Sequence, residues 1–297
     1  MCDPSPMRIC LMLEGQEGIE WEQWRALAAA AEDARLDGLF RSDHYRSILR
    51  GEPAGSLDAW ATLAALAVST TRIRLGTLVS PVTFRPAPVL AKNAVTVDHI
   101  SGGRVELGIG AGWYEAEHGT YGFPFPSTRE RFDELERQLG EIHRQWADES
   151  AAWPKPVQQP RPRIIVGGSA RPRGVGLAVR YADEYNTTFA SVDQARERRR
   201  AVDRAAQDAG REPLTFSIMT GCVVGRDAAE AADRLARWRQ ITGQQGKPTF
   251  SGTVDEVVEQ LRAYEQVGVE RAMLQHLDHE DVEMVGILGE LATALAS

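Results

Sequence analysis

The stretch Ile73-Arg74-Leu75-Gly76-Thr77-Leu78-Val79, followed by Pro86 through His99 and then by Arg104-Val105-Glu106-Leu107-Gly108-Ile109, decides the fold. The first and last runs are short, apolar and bounded by Gly, Ser or Pro, as buried strands are. Pro86 suits a first helical turn, and the residues after it keep helical spacing to about His99. Strand, helix, strand over so few residues predicts a parallel pair joined by a crossover helix.

The same alternation extends in both directions. Toward the N-terminus, Met7–Leu13 reads as a strand and Glu20–Leu36 as a helix with Trp24, Leu27, Ala28 and Ala31 on one face. A strand from Gly38 to Phe40 ends at Ser42-Asp43-His44, and Leu57–Val68 is helical. Toward the C-terminus, Ser127 is placed to cap a helix over Thr128–Trp146. Strands are expected at Arg163–Val166, Glu184–Phe189, Leu214–Val224 and Arg271–Gln275, with helices at Gly174–Tyr181, Val192–Ala209, Ala228–Ile241, Thr253–Val267 and Asp281–Leu295. Eight strands separated by helices fit a (β/α)8 TIM barrel, an α/β fold, better than a doubly wound sheet. No composition break divides residues 1–297, so one domain is expected, with loop insertions at the C-terminal face of the barrel. The Pro-rich Trp153–Pro162 segment reads as a lead into the fifth strand. Thr242–Gly252 reads as a mobile loop over one barrel end.

Composition narrows the class of function. With 43% hydrophobic and 26% charged residues the chain is of the soluble globular kind. A net charge of -8 argues against a nucleic-acid partner, which wants a basic face. Cys2, Cys10 and Cys222 have neither metal-ligand spacing nor the density of a disulfide framework. No HxH, HExxH or CxxC pattern supports a metal. No apolar run is long enough to span a membrane, and Met1–Pro6 carries no signal-peptide pattern, so a cytoplasmic location is expected.

In a barrel the residues just past the strand C-termini carry the chemistry. Collected, they are Glu14, Asp43, His44, Val79–Pro81, Gly110–Trp113, Gly167–Ser169, Asn186 and His276. Gly108-Ile109-Gly110-Ala111-Gly112-Trp113 fails as a dinucleotide fingerprint, because Trp113 occupies the sixth position and no helix is expected directly after it. It reads either as a strand end kept bare for a planar ring or as close packing of small residues. Gly167-Gly168-Ser169, at the start of a helix, can offer backbone N–H groups to a phosphate; an ordinary glycine turn is the alternative. His44 beside Asp43 is a candidate for proton transfer near neutral pH. His99, His118, His143 and His279 read as surface residues. Glu14 and Asp43 could instead be the carboxylates of a glycosidase on the same fold, though the mouth has few aromatic platforms. There is no GxSxG turn for a serine nucleophile.

Three blocks then carry a resemblance: Phe40-Arg41-Ser42-Asp43-His44; Arg74–Pro81 through Ser101-Gly102-Gly103-Arg104 to Gly108-Ile109-Gly110-Ala111-Gly112-Trp113; and Ile165-Val166-Gly167-Gly168-Ser169 with Arg180-Tyr181-Ala182-Asp183. Together the chain resembles the bacterial-luciferase-like monooxygenase superfamily, and within it the oxidoreductases that use the deazaflavin coenzyme F420. FMN-dependent monooxygenases share much of the pattern and are the alternative; a non-catalytic flavin-binding relative is a third reading. The resemblance implies a flavin-type ring at the strand C-termini, backed by a non-prolyl cis peptide at Leu78-Val79. It implies Asp43 and His44 at the reacting edge, Ala111, Gly112 and Trp113 along the pyrimidine side, and Gly167, Gly168 and Ser169 at the phosphate. Glu117 is expected to anchor the loop after Trp113, and Arg171 and Arg173 are candidates for the acidic cofactor tail. A small organic substrate and a homodimer through the early helices are also implied, with Trp21, Trp24 and Trp60 as contacts or else as core packing. The chain departs from the family in the short Ala147–Ala152 connection, where relatives carry a longer loop that helps cover the substrate; a more open pocket, a partner filling the gap or altered chemistry is expected.

Overall fold

The computed structural model describes residues 6–147 and 149–297, so Cys2 and most of the Met1–Pro6 segment lie outside the described residues. The strands are β1 (Arg8–Leu13), β2 (Gly38–Arg41), β3 (Arg74–Thr77), β4 (Ser80–Pro81), β5 (Val105–Gly110), β6 (Arg163–Gly167), β7 (Glu184–Thr188), β8 (Thr215–Gly225), β9 (Phe250–Thr253) and β10 (Arg271–His276). The helices are α1 (Trp21–Asp33), α2 (Ala59–Ser69), α3 (Ala87–Ser101), α4 (Glu115–Tyr121), α5 (Thr128–Trp146), α6 (Pro172–Tyr181), α7 (Val192–Asp208), α8 (Ala228–Thr242), α9 (Val254–Glu265) and α10 (Val282–Leu295). The sheet runs β10-β1-β2-β3-β5-β6-β7-β8 in parallel, and β8 pairs back onto β10 to close an eight-stranded (β/α)8 barrel. β4 continues β3 past the Leu78-Val79 peptide and pairs with β5 through Ser80–Ile109 and Pro81–Gly110.

Period-two alternation sorts each strand into an outer and an inner face. On β1, Ile9, Leu11 and Leu13 face the helices and join the main core, while Cys10 and Met12 face the barrel axis. Both faces are buried, which is why the strands read as continuous apolar runs. The helices lie antiparallel to the strands with their apolar stripes inward. α5 starts at a reciprocal capping box of Ser127 and Glu130, as α7 does with Ser191 and Gln194 and α9 with Thr253 and Glu256.

The barrel axis is layered. At the N-terminal end, Arg271 is fully buried and lies 2.7 Å from Glu106, 3.1 Å from Glu184 and 2.9 Å from Asp37. Arg74 also pairs with Glu106, and Arg163 lies 3.6 Å from Glu184. Burial opposes ionisation of Glu106, but Arg271 and Arg74 outweigh it and hold its carboxyl down to about 2. Above this ionic floor sits an apolar layer of Cys10, Met12, Phe40, Leu78, Ile165, Met219 and Met273. The floor is thereby sealed from the mouth formed by the strand C-termini.

Four expectations need correction. Part of the Thr242–Gly252 loop and its neighbours forms β9, which pairs with the extended end of β8 through Cys222–Phe250 to Gly225–Thr253. A helix does follow Trp113 closely, since α4 begins at Glu115. Trp24 and Trp60 are core residues rather than surface contacts: Trp24 packs under the Arg41 guanidinium at 4.5 Å, and Trp60 donates to Ser80 Oγ at 3.0 Å. The short connection after α5 runs to the N-terminal end of β6. Directly after it, the Lys155 carbonyl meets His99 at 2.7 Å and Val157 N donates to Asp98 at 2.6 Å, both at the C-terminal end of α3. That is the barrel face opposite the mouth, so its brevity does not open the pocket.

Candidate active site

The β2 end and α4 form one clasped unit at the mouth. His44 follows β2 by a few residues, and its Nδ1 lies 2.7 Å from Glu117 Oε1 on α4. The other oxygen, Glu117 Oε2, accepts from Tyr45 N at 3.0 Å. Tyr121 OH donates to Tyr45 O at 3.2 Å, and Tyr114 OH donates to Ser47 O at 3.3 Å. Beneath them Tyr45, Phe84 and Phe123 stack, with centroids 5.1 and 5.7 Å from Tyr45 to the two phenyl rings. Glu117 is therefore the anchor expected of it, and it is also the partner of His44. Sequence reasoning could not pair them, because 73 residues separate them and no local pattern links them.

The environment of His44 sets its proton affinity. The imidazole side chain is 16% exposed and Glu117 is buried. Burial opposes the imidazolium, but the hydrogen bond and charge of Glu117 outweigh it, with Glu14 and Asp43 adding, and the pKa is raised above its ordinary value. Trp113 stands edge-on to the imidazole at 5.7 Å and stacks on Tyr114 at 5.3 Å.

Asp43 takes a different part from the one its position beside His44 suggests. Its Oδ2 accepts from Ser80 Oγ and from Arg85, each at 2.6 Å, and Arg85 also binds Asp58 at 2.5 Å. Asp43 Oδ1 is buried and has no hydrogen-bond partner among the described residues. Asp43 is thus tied to β4 and the segment after it rather than to the imidazole. Glu14 accepts from Gln16 at 2.9 Å and from Gln275 at 2.7 Å, so each carboxylate of the glycosidase alternative is held by its own partners.

The Leu78-Val79 peptide is cis, as the resemblance implies. It sets the Val79 side chain over β5. A Cβ on Gly110 would lie 2.7 Å from Val79 Cγ2, and one on Gly108 would lie 2.0 Å from Thr77 O and 3.1 Å from Val79 Cγ1. These two glycines are bare because the bulge of this chain fills the space above them. Ala111 and Gly112 follow, with Gly112 in the left-handed region at φ 79°, a conformation glycine adopts without a Cβ penalty. His118, expected at the surface, is buried and bridges Tyr114 O and Thr83 Oγ1, each at 2.7 Å. His279 is also buried, which holds its pKa down at about 3.

Gly167, Gly168 and Ser169 form the turn from β6 toward α6. Gly167 and Ser169 are exposed, and α6 starts at Pro172 with no side-chain cap, so its first N–H groups are unclaimed by a capping side chain. Arg173 is committed elsewhere, to Asp133 and the Arg129 carbonyl, whereas Arg171 is exposed. No group of metal-ligating side chains occurs among the described residues.

Comparison with known proteins agrees with this architecture. The family model for luciferase-like monooxygenases matches residues 7–250, and the chain belongs to that family. It is 34% identical over 200 residues to an uncharacterised protein of Mycobacterium tuberculosis, covering 63% of this chain and 67% of that protein. It is 26% identical over 310 aligned positions to the F420-dependent glucose-6-phosphate dehydrogenase of Nakamurella multipartita, covering 89% of each. A solved F420-dependent secondary alcohol dehydrogenase, bound to an F420-acetone adduct, superposes with a TM-score of 0.79 at 16% identity, over 98% of this chain and all of that one. Relatives named for F420 and for FMNH2 both occur among the matches. No described helix is long and apolar enough to cross a membrane.

Proposed function

We propose that the protein is an oxidoreductase that binds coenzyme F420 across the barrel mouth and exchanges a hydride with a small organic substrate, while His44 handles the accompanying proton. The observation that carries the reading is the buried Glu117 on His44 Nδ1, with His44 Nε2 making no hydrogen bond among the described residues. The residues suit the group. The uncapped start of α6 and the exposed Gly167-Gly168-Ser169 turn suit a phosphate, since helix N-termini favour anions. Leu78 and Val79 would back the ring, and Ala111, Gly112 and Trp113 would line one side of it.

When bound, the deazaflavin supplies a two-electron hydride carrier, and the chain supplies position and a proton. Glu117 favours the imidazolium, so His44 Nε2 holds a proton that it can give to an oxygen developing negative charge. After donation the Nδ1–H stays on Glu117, which fixes the tautomer and leaves Nε2 as the acceptor for the reverse direction. Asp43, clasped by Arg85 and Ser80, holds the β4 end against β2 and so supports the Leu78-Val79 bulge.

Parallel titration of the protein with coenzyme F420 and with FMN tests the assignment. Tighter binding of F420, and a His44→Ala variant that keeps that affinity while losing turnover, are the expected results. Preference for FMN, or wild-type turnover in His44→Ala, would refute the cofactor or the proton role respectively.

A further inference from the structure

Phe189 directly follows β7 at the mouth and is 60% exposed. Its backbone is left-handed at φ 46°, and its N–H donates to Met219 O at 3.0 Å. A bulky residue in this region is an outlier whose Cβ crowds the backbone. The ring is too exposed to offset that strain by core burial. Arg35, another non-glycine residue in this region at φ 57°, sits just past a helix C-terminus, where such a conformation is common. Phe189 has no such setting.

In the closed barrel order β1, β2, β3, β5, β6, β7, β8, β10, the loops after the second, fourth and sixth strands carry exposed apolar side chains. Ile48 and Leu49, each 38% exposed, follow β2; Trp113, 63% exposed, follows β5; Phe189 follows β7. The loops after β2 and β7 therefore leave the barrel on opposite sides of its axis, with the β5 loop between them. The first pair is fixed in place, since Glu17 accepts from Ile48 N at 2.9 Å and Leu49 N at 3.1 Å.

Apart from the α6 start and Arg171, which suit the anionic cofactor, and the His44 imidazole, the mouth presents few free cations. Glu14, Asp43 and Glu117 are carboxylates. Arg85 is spent on Asp43 and Asp58 and Arg198 on Thr187 and Thr188 O, while Arg41, fully buried, binds Ser42 O, Ser56 and Leu57 O through Nε and Nη2 and has no partner on Nη1 among the described residues. Arg50 is the exposed cation of the Ile48-Leu49 loop.

We propose that Phe189 is a substrate-positioning residue and that this apolar collar selects an uncharged, apolar organic substrate over a phosphorylated one. The proposal rests on the mouth being the redox site. Isothermal titration with 2-octanone and with glucose 6-phosphate tests it, using wild type, Phe189→Ala, Phe189→Gly and Arg50→Ala, each with and without coenzyme F420. Wild type is expected to bind 2-octanone and not glucose 6-phosphate. Both Phe189 variants should weaken 2-octanone roughly tenfold, as loss of a phenyl contact implies. F420 affinity should stay unchanged, and Phe189→Gly should raise Tm, because glycine relieves the left-handed strain that a purely structural ring would be there to tolerate. Absent 2-octanone binding, glucose 6-phosphate binding that Arg50→Ala abolishes, unaltered 2-octanone affinity in the Phe189 variants, or weakened F420 binding in them would each overturn the proposal. Failure of wild type to bind F420 would instead refute the cofactor assignment, and the titrations without cofactor would still decide the collar.

Discussion

His44 Nδ1 and Glu117 Oε1 lie 2.7 Å apart, joining the end of β2 to the short helix α4. The bond fixes the imidazole ring and its tautomer at the same time, and it raises the proton affinity of a side chain at the mouth.

Glu117→Gln should lower the His44 pKa toward or below its ordinary value of about 6.5, because burial is then opposed only by the smaller contributions of Glu14 and Asp43. NMR titration of the imidazole checks this. The folded pKa is raised, so the stability from the ion pair is fully present below the unfolded value and is lost as pH rises through the folded one. The wild-type advantage over Glu117→Gln in urea unfolding should therefore shrink as pH rises through that value. A pH-independent difference would mean that the carboxylate acts only through Tyr45 N.

Asp43→Asn should cost roughly 1–3 kcal/mol by loosening the Arg85 clasp, as expected for a buried hydrogen bond to a charged group. The raised His44 pKa should largely persist, since Glu117 is its main support. Urea unfolding and imidazole NMR on one sample separate these effects. A collapse of the His44 pKa in this variant would contradict the assignment of Asp43 to the β4 side.

Gly108→Ala should destabilise the barrel by about 2–3 kcal/mol or more, because its Cβ would meet backbone, which cannot swing aside. Gly110→Ala meets a valine methyl instead and should cost less. Chemical denaturation ranks the two, and equal losses would show that the Val79 bulge is as rigid as the strand.

Arg271→Ala should destabilise by about 3–5 kcal/mol, since it removes the central cation and leaves buried Glu106 and Glu184 only Arg74 and Arg163 as partners. The Glu106 pKa is depressed, so its contribution is complete above about 4.5 and is lost as pH falls toward about 2. Acid unfolding of wild type should steepen over that interval, and Glu106→Gln should flatten it.

The barrel was legible in the sequence because its signals are local. Buried strands read as apolar runs, and Ser127 and Glu130 mark a helix start within four residues. What escaped is non-local or small. β4 has two residues, and α4 is seven residues long with polar and aromatic character that mimics a loop. The bareness of Gly108 and Gly110 read equally as room for a ring, because the Val79 side chain that fills it arrives from a different strand. His44 and Asp43 were found as strand-end residues, yet their partners Glu117 and Arg85 come from distant segments. His118 read as a surface residue because helix position alone does not reveal the aromatic packing around it. Phe189 ended a predicted strand, and nothing in the sequence reports a backbone dihedral.

The α4 turn carries two things that are usually separate. Glu117 sets the proton affinity of His44, and Trp113-Tyr114, leading directly into the same helix, forms the exposed aromatic wall beside it. A molecule seated against that wall would touch the same turn that carries the carboxylate. Occupancy of the mouth and the charge on the imidazole should consequently be linked, so ligand uptake at constant pH should be accompanied by uptake or release of protons.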